Sequence, residues 1–597
     1  MKKPWSISTT VRNPERLRSF LKVLKKLEGQ EFNRKNQVKY QTLLIQEKIY
    51  KPLNISTKFR KYYEDPELSI PYKVAEKIFY AQNYEDPPMR GRQSVNPLNK
   101  LGFAIARDGI GYVKITDLGE RFLEGDYDIG FIFFKSLLKL QFPNPWSADF
   151  SEKDGFNIMS LVATMRLLYK LNKKSTKRGL SKREFSIFIP TLINVNQIDD
   201  YVERIITFRK EKNKEEYIRS FAGEFYGMDD VSETKINNLI DYGDNIMRYF
   251  RLTRYFKVKM DPLGYHWSID LEPSRMIEIE QILDIYSGEA IKFKDLEDYL
   301  TYLSDITKPE LPWEKIENLR KVAFSLKNIV IDLINKENIK LTKGEKELLI
   351  VDIGKLIKTQ LESYISELRE FYLGLKDRLK KKQIIGNIQK IKEIINALRD
   401  IKILRKYEPE YFEKLITESL KILNDEILIK PNYPVDDDGE PISHSPGNKP
   451  DVECHYLRFK SICEVTLNTT KLQWVQEGQP VMRHLRDFEI RHKDKEVFCI
   501  FIAPQIHNDT YSQFWISVKY EYDGLPQKII PMTTEQFALL LETLLEFLKQ
   551  GKRFSHRELY DLYSEIMADT KTLNSFSGWA NSIPKILEEW QSNIISQ

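Results

Sequence analysis

Cysteine is nearly missing from this chain: Cys454, Cys463 and Cys499 are the only three in 597 residues, with no Cys-x-x-Cys pair and no metal-ligand spacing. A disulfide framework and a structural zinc site are therefore not expected, and a reducing compartment fits. Long apolar runs are also missing. No stretch approaches the ~18 residues needed to span a bilayer, and the basic start MKKPWSISTTVRNPERLRSF is followed by polar residues. The expectation is a soluble, unsecreted protein with no membrane association. Neither sign of charge dominates: 93 Lys and Arg against 87 Asp and Glu leave +6, so a nucleic-acid partner must be argued from local patches. Histidine is scarce before residue 440, with six of the seven falling after it.

What is present fits a large globular protein, 41% hydrophobic and 30% charged. Its length calls for about three or four folding units. Phe103 to Thr116 reads FAIAR-DGIG-YVKIT, two alternating runs around an Asp-Gly turn, and Thr116 or Asp117 then caps a helix that ends on Gly125. Helix, hairpin, helix is the order of a winged-helix module. A second such order follows: INNLIDYGDNIMRYFRLT, then YFKVK-MDPLG-YHWSID, then a helix opening near Pro273. Between them the basic segment KLNKKSTKRG feeds a helix whose Ser181 and Glu184 form a capping box. Each piece alone is common scaffold. Together they make Lys173, Lys174, Lys177, Arg178, Lys182 and Arg183 candidate DNA contacts, mostly to phosphate.

Residues 309–407 read as helix throughout, with dense alternating charge. A turn-rich segment, VDDDGEPISHSPGNKP, then delivers the chain into strand-like patterns. DVECHYLRF and KSICEVTL are two short strands, GQPVMRHLRDFEIRH a helix, EVFCIFIAP an apolar strand, and KIIPM another strand. TTEQFALLLETLLEFLKQG is a helix capped by Thr533 with Gln536 and ended by Gly551. These elements predict a mixed sheet flanked by helices.

Asp451 opens the first of those strands and Glu464 lies in the next. If the two strands are neighbours, both carboxylates converge at one end of the sheet. There they could hold a hard divalent cation such as magnesium, with a backbone carbonyl such as that of Val465 completing the oxygen donors. This is the Asp…Glu-x-Lys arrangement of the restriction-endonuclease, or PD-(D/E)XK, fold, with Thr466 at the usual Lys position. Glu477 and His484 share a helix face if the helix already runs through Gly478 and Pro480. His484 is read as polarising a phosphate, positioning water, or hydrogen-bonding within the core. The three cysteines are read as small core residues.

The segments ISHSPGNKPD, CEVTL and PVMRH resemble THxxGNxPD, GEVT and PVxRH of the AlwI and BstNBI family of type IIS and nicking endonucleases. KLEGQEF, GYVKITDLGERFL, NVNQIDDYVERIITFR, RYFRLT and FIAPQI are similar to family segments in the same order. The resemblance implies Asp451 and Glu464 as metal-binding carboxylates, with the Val465 carbonyl completing the site. It further implies Glu477 as an active-site acid in place of the usual Lys, His484 as the histidine of PVxRH, and Glu413 as an acid on the helix leading into the catalytic core. Family members also lack the usual Lys.

The expected architecture is multidomain α+β. It comprises winged-helix-like DNA-recognition modules over 1–170 and 171–285, a helical linker over 286–405, and a PD-(D/E)XK-variant nuclease domain over 406–597. The expected function is magnesium-dependent hydrolysis of double-stranded DNA at a fixed distance from a short asymmetric site of the GAGTC or GGATC kind, in a prokaryotic cytoplasm. One catalytic site cuts one strand, so cleavage of both calls for a second nuclease subunit or a transient homodimer, and the helix from Thr533 to Gly551 is a candidate interface. Nicking of one strand stays open. The alternative readings are a non-catalytic winged-helix DNA-binding regulator and a nuclease acting on RNA or single strands.

Overall fold

The computed structural model describes all residues except 1, 9–10, 12, 53, 65–67, 126–127, 148, 261–266, 386–387, 424–425, 427, 437–438, 448, 551–553 and 597. The chain forms two compact units, one of Met1–Phe59, Ser69–Asp261 and Tyr265–Leu373, the other of Arg60–Leu68, Pro262–Gly264 and Gly374–Gln597. The helical stretch expected over 286–405 is thus shared between them.

The first unit is mostly helical. Helix α1 (Pro87–Lys100) begins on proline and lies close against the helix Arg34–Gln46. A Cβ at Gly91 would sit 2.1 Å from the Gln37 carbonyl oxygen, so only glycine permits this approach. The hairpin that follows is shorter than its alternating pattern predicts: β1 (Ala104–Ile105) pairs antiparallel with β2 (Lys114–Ile115). Tertiary partners replace the rest of the ladder. The Asn99 side chain bonds both backbone groups of Ala106, at 2.9 and 3.0 Å, while Val113 donates to the Gln30 carbonyl at 2.8 Å. Thr116 caps the next helix by accepting from Gly119 N–H at 3.0 Å, and Gly125 ends it at φ 79°.

Helix α2 (Ser160–Lys174) leads into β3 (Leu180–Ser181) and α3 (Lys182–Phe188), where the expected capping box forms. Glu184, buried, also binds Arg209 at 2.8 Å, which fixes the entry of α3. Helix α4 (Glu233–Leu252) precedes β4 (Phe256–Met260) and β5 (Trp267–Leu271), which with β3 make a three-stranded sheet in the order β3-β5-β4. The Asp-Pro-Leu-Gly turn expected between β4 and β5 lies outside the described residues.

The second unit is built on a five-stranded mixed sheet. Helix α5 (Pro409–Ile422) comes first, followed by β6 (Leu428–Pro431), β7 (Val452–His455), β8 (Phe459–Val465), β9 (Glu496–Ala503) and β10 (Ile529–Thr533). Their spatial order is β10-β9-β8-β7-β6, with β8-β9 and β9-β10 parallel and the other pairs antiparallel. The apolar run of β9 is buried on both faces, as a strand with parallel neighbours and helices on either side requires. All three cysteines are free and buried on these strands. Helix α6 (Gln479–Arg491) links β8 to β9, and α7 (Thr534–Lys549) follows β10 behind its Thr533–Gln536 capping box. Its apolar residues, including Phe537, Leu540, Leu541 and Leu544, are buried within the unit, so this helix is core. Gly551 lies outside the described residues.

A charge triad pins α5 to the loop before β7. Glu440 accepts from Lys414 at 2.6 Å and from Lys380 at 2.9 Å. The two ammonium groups outweigh burial and hold the carboxyl at about 2, well below the usual 4.5. A depressed carboxylate stabilises the fold above its unfolded-state value and loses that contribution as pH falls through the folded one. Glu440→Gln should therefore lower the unfolding free energy by about 3 kcal/mol near neutrality, with the gap to the parent narrowing as pH falls from about 5 toward 3. Denaturant titrations of both chains across that range measure it, and a gap independent of pH would contradict the assignment.

Candidate active site

The register of two strands makes the site. Cys463 of β8 pairs with Val452 of β7, so Asp451, one residue before β7, and Glu464, one residue after Cys463, meet at the same end of the sheet. The conditional expectation that these strands are neighbours holds. Asp451 Oδ2 accepts the Val465 N–H at 2.8 Å, which ties the carboxylate to the strand carrying Glu464. Glu464 is buried, and its Oε1 lies 2.8 Å from His484 Nδ1. The other ring nitrogen, Nε2, lies 3.3 Å from the Gly447 carbonyl. Both ring nitrogens face oxygen atoms. Of the roles considered for His484, the geometry shows the hydrogen-bonding one: it holds Glu464 in place.

Glu477 reaches the site through a local distortion. Trp474–Gly478 form a π-helical turn that runs directly into α6, so the helix does pass through Gly478 and Pro480. The wide turn forms because Gly478 leaves room for an indole: a Cβ there would lie 1.8 Å from Trp474 Cε3. Glu477 hydrogen-bonds Thr466, the residue at the usual lysine position, and feels the charge of Glu464. Glu413, on α5, is buried, and its Oε2 accepts from Ser445 N–H at 3.0 Å and from Ser445 Oγ at 2.7 Å. The structure thus gathers all five residues, Glu413, Asp451, Glu464, Glu477 and His484, at one end of the sheet.

Their electrostatics follow from crowding like charges away from water. Burial first, then the charges of Glu413 and Glu464, push Asp451 well above the usual carboxylate range. Burial raises Glu464, opposed by His484 and Arg483. Glu413 and Glu477 are each pushed to about 7, mainly by burial. Four carboxyls in mutual repulsion form an oxygen-donor set that a hard divalent cation would relieve. Among the described residues, no three His, Cys, Asp or Glu side chains are grouped closely enough to hold an ion by themselves. A cation here would rest on the Asp451 and Glu464 carboxylates with a backbone oxygen such as that of Val465, an incomplete protein shell of the kind magnesium accepts.

Sequence reasoning passed over Ser445, His444 and Arg483. Ser445 positions Glu413, the His444 charge favours ionised Glu413 and Glu477, and Arg483 favours ionised Glu464 and donates to the Gly447 carbonyl at 3.4 Å. All three lie inside the quoted segments ISHSPGNKPD and PVMRH, which was the signal available. The six basic candidates of the first unit sit elsewhere. Lys174 pairs with Glu203 at 2.7 Å, Arg178 with Asp270 at 3.3 Å, Lys182 with Asp244 at 2.6 Å, and Arg183 with Glu215. Lys173 lies over the Tyr169 ring, 4.1 Å from its centroid, and the Lys177 carbonyl accepts from Arg209. The pairs of Lys174 and Arg183, exposed on both sides, contribute about 0–1 kcal/mol each, whereas Asp244 and Asp270 are largely buried.

The family model of the AlwI restriction endonuclease matches residues 99–540. None of the curated proteins matches the chain. Among the solved structures similar to it are two restriction endonucleases. One is the small subunit (R.BspD6I2) of the heterodimeric restriction endonuclease R.BspD6I, at 21% identity and TM-score 0.27, covering 34% of this chain and 97% of that one. The other is the restriction endonuclease FokI, at 11% identity and TM-score 0.23, covering 94% of this chain and 99% of that one.

Gly478→Ala should destabilise the chain by about 1–3 kcal/mol, because the new methyl group meets the Trp474 ring. Thermal unfolding measures it. An unchanged midpoint would show that the π-helical turn does not depend on this contact.

Proposed function

We propose that this chain, which belongs to the AlwI restriction endonuclease family, is a magnesium-dependent type IIS endonuclease that binds a short asymmetric duplex site and hydrolyses a phosphodiester at a fixed distance outside it. The observation that carries this reading is the convergence of Asp451 and Glu464 on one sheet end, set by strand register and locked by Val465 N–H and His484. The second unit supplies a PD-(D/E)XK-type nuclease site, and the first unit, with winged-helix-like modules, reads the DNA. We assign module boundaries at 1–170, 171–285, 286–405 and 406–597.

Magnesium, held by Asp451, Glu464 and the Val465 carbonyl, would polarise the scissile phosphate and favour hydroxide at neutral pH. The chain's own groups do the rest. His484 keeps Glu464 oriented through its 2.8 Å contact. Glu413, braced by Ser445, acts on Asp451 through its charge as a positioning residue. Glu477, raised to about 7 and hydrogen-bonded to Thr466 in the place of the usual lysine, takes the proton of the attacking water. A P–O bond forms to that water oxygen, and the bond to the leaving sugar oxygen breaks.

Lys173, Lys174, Lys177, Arg178, Lys182 and Arg183 contact phosphate, four of them (Lys174, Arg178, Lys182 and Arg183) by exchanging an acidic partner, which makes affinity strongly salt-dependent. Because one site cuts one strand, the chain nicks alone, and cleavage of both strands requires a second nuclease subunit or a transient homodimer. The resemblance points to targets of the GAGTC or GGATC kind.

Incubation of the full chain with a supercoiled plasmid carrying many candidate sites, followed by run-off sequencing of both strands, tests the proposal. Breaks at one distance from one short motif, in the presence of magnesium only, are expected. Breaks scattered without regard to sequence, or none at all, would overturn it.

A further inference from the structure

The basic residues singled out in the sequence are largely engaged by acids; a cleft elsewhere in the first unit carries an excess of basic over acidic side chains. It encloses about 910 Å³ and is lined by six basic side chains against two acids, Asp108 and Asp149. One wall is α1. Met89, Arg92, Gln93 and Asn96 recur at helical spacing and so share the face that lines the cleft. Lys235, Asn238 and Tyr242 line it from α4, again on one face. Arg107 borders the same space, as does Lys3, which pairs with Asp149 of the cleft at 3.2 Å.

These groups are not alike in how they are held. Arg92 is pinned by Gln37, at 2.9 Å, and by Asp86, which fixes the direction of its guanidinium. Arg107 is pinned by the Trp146 carbonyl at 2.7 Å. Asn96 and Asn238 are different: neither side chain bonds another described residue, and both line the cleft. A carboxamide carries one acceptor and a donor pair side by side, the complement of the N7 and N6 edge of adenine, while a fixed guanidinium complements the O6 and N7 edge of guanine. An anionic ligand that presents both phosphates and hydrogen-bonding base edges would engage two such amides among cations.

Resting on the endonuclease reading above, we propose that this cleft takes one strand of the duplex target. Asn96 and Asn238 read base edges, Arg92 adds a fixed donor, and Lys3 and Lys235 face the phosphates. The cleft, more than the Lys173–Arg183 segment, then sets which sequence is recognised. Amide contacts to bases discriminate between sequences, whereas contacts to phosphate raise affinity for all duplexes alike.

The test uses the full chain carrying Asp451→Asn, so that DNA is bound without being cut. A preferred duplex is selected from a randomised pool, and affinities for it and for a scrambled duplex are measured at several salt concentrations. Asn96→Ala and Asn238→Ala are compared with the parent; Asn238 is exposed, so its replacement leaves the fold intact. The expected result is a loss of about tenfold or more on the preferred duplex, with scrambled-duplex affinity and salt dependence unchanged. No loss on either duplex, or an equal loss on both, overturns the cleft assignment while leaving the endonuclease reading standing. A parent that selects no sequence overturns both.

Discussion

Carboxyl groups repel one another most strongly where water is excluded, and Glu413, Asp451, Glu464 and Glu477 are held together in such a place. Much of the surrounding architecture manages that repulsion. The β7-β8 register sets Asp451 against Glu464, Val465 N–H steadies one acid, His484 the other, and Ser445 braces Glu413. The π-helical turn before α6 admits Glu477 beside Thr466. Each of these contacts restrains an acid without neutralising the cluster. A divalent cation bound there would relieve the repulsion that these contacts leave in place.

The first unit handles charge in another way. Its exposed cations at Lys174, Arg178, Lys182 and Arg183 each face an acid from a neighbouring element. Contact with a phosphate at any of these four must replace an existing partner. The proposed recognition cleft instead presents the amides of Asn96 and Asn238 from α1 and α4.

Much of the catalytic end was legible in the sequence because strands and caps are local. The alternation through DVECHYLRF and KSICEVTL marked two consecutive strands, at or beside Asp451 and Glu464, with their pairing left as a condition, and the capping boxes at Ser181 and Thr533 formed as read. What was not legible depends on contacts distant in sequence. The first hairpin is short because Asn99 and Gln30 take its backbone bonds, which no local pattern shows. The strand β6, with its half-buried alternation, was passed over between turn-rich segments. The bracing of Glu413 by Ser445 joins residues far apart in the chain, and the amide-lined cleft draws on segments from Lys3 to Tyr242.

The claim on which the account turns is that Asp451 and Glu464 perform the chemistry and are not required for DNA binding. Duplex binding and single-turnover cleavage by the full-length Asp451→Asn and Glu464→Gln chains, side by side with the parent and with magnesium present, address it directly. The account predicts binding within a few-fold of the parent and cleavage reduced by about a thousandfold or more. Cleavage at the parent's rate by either variant would contradict it.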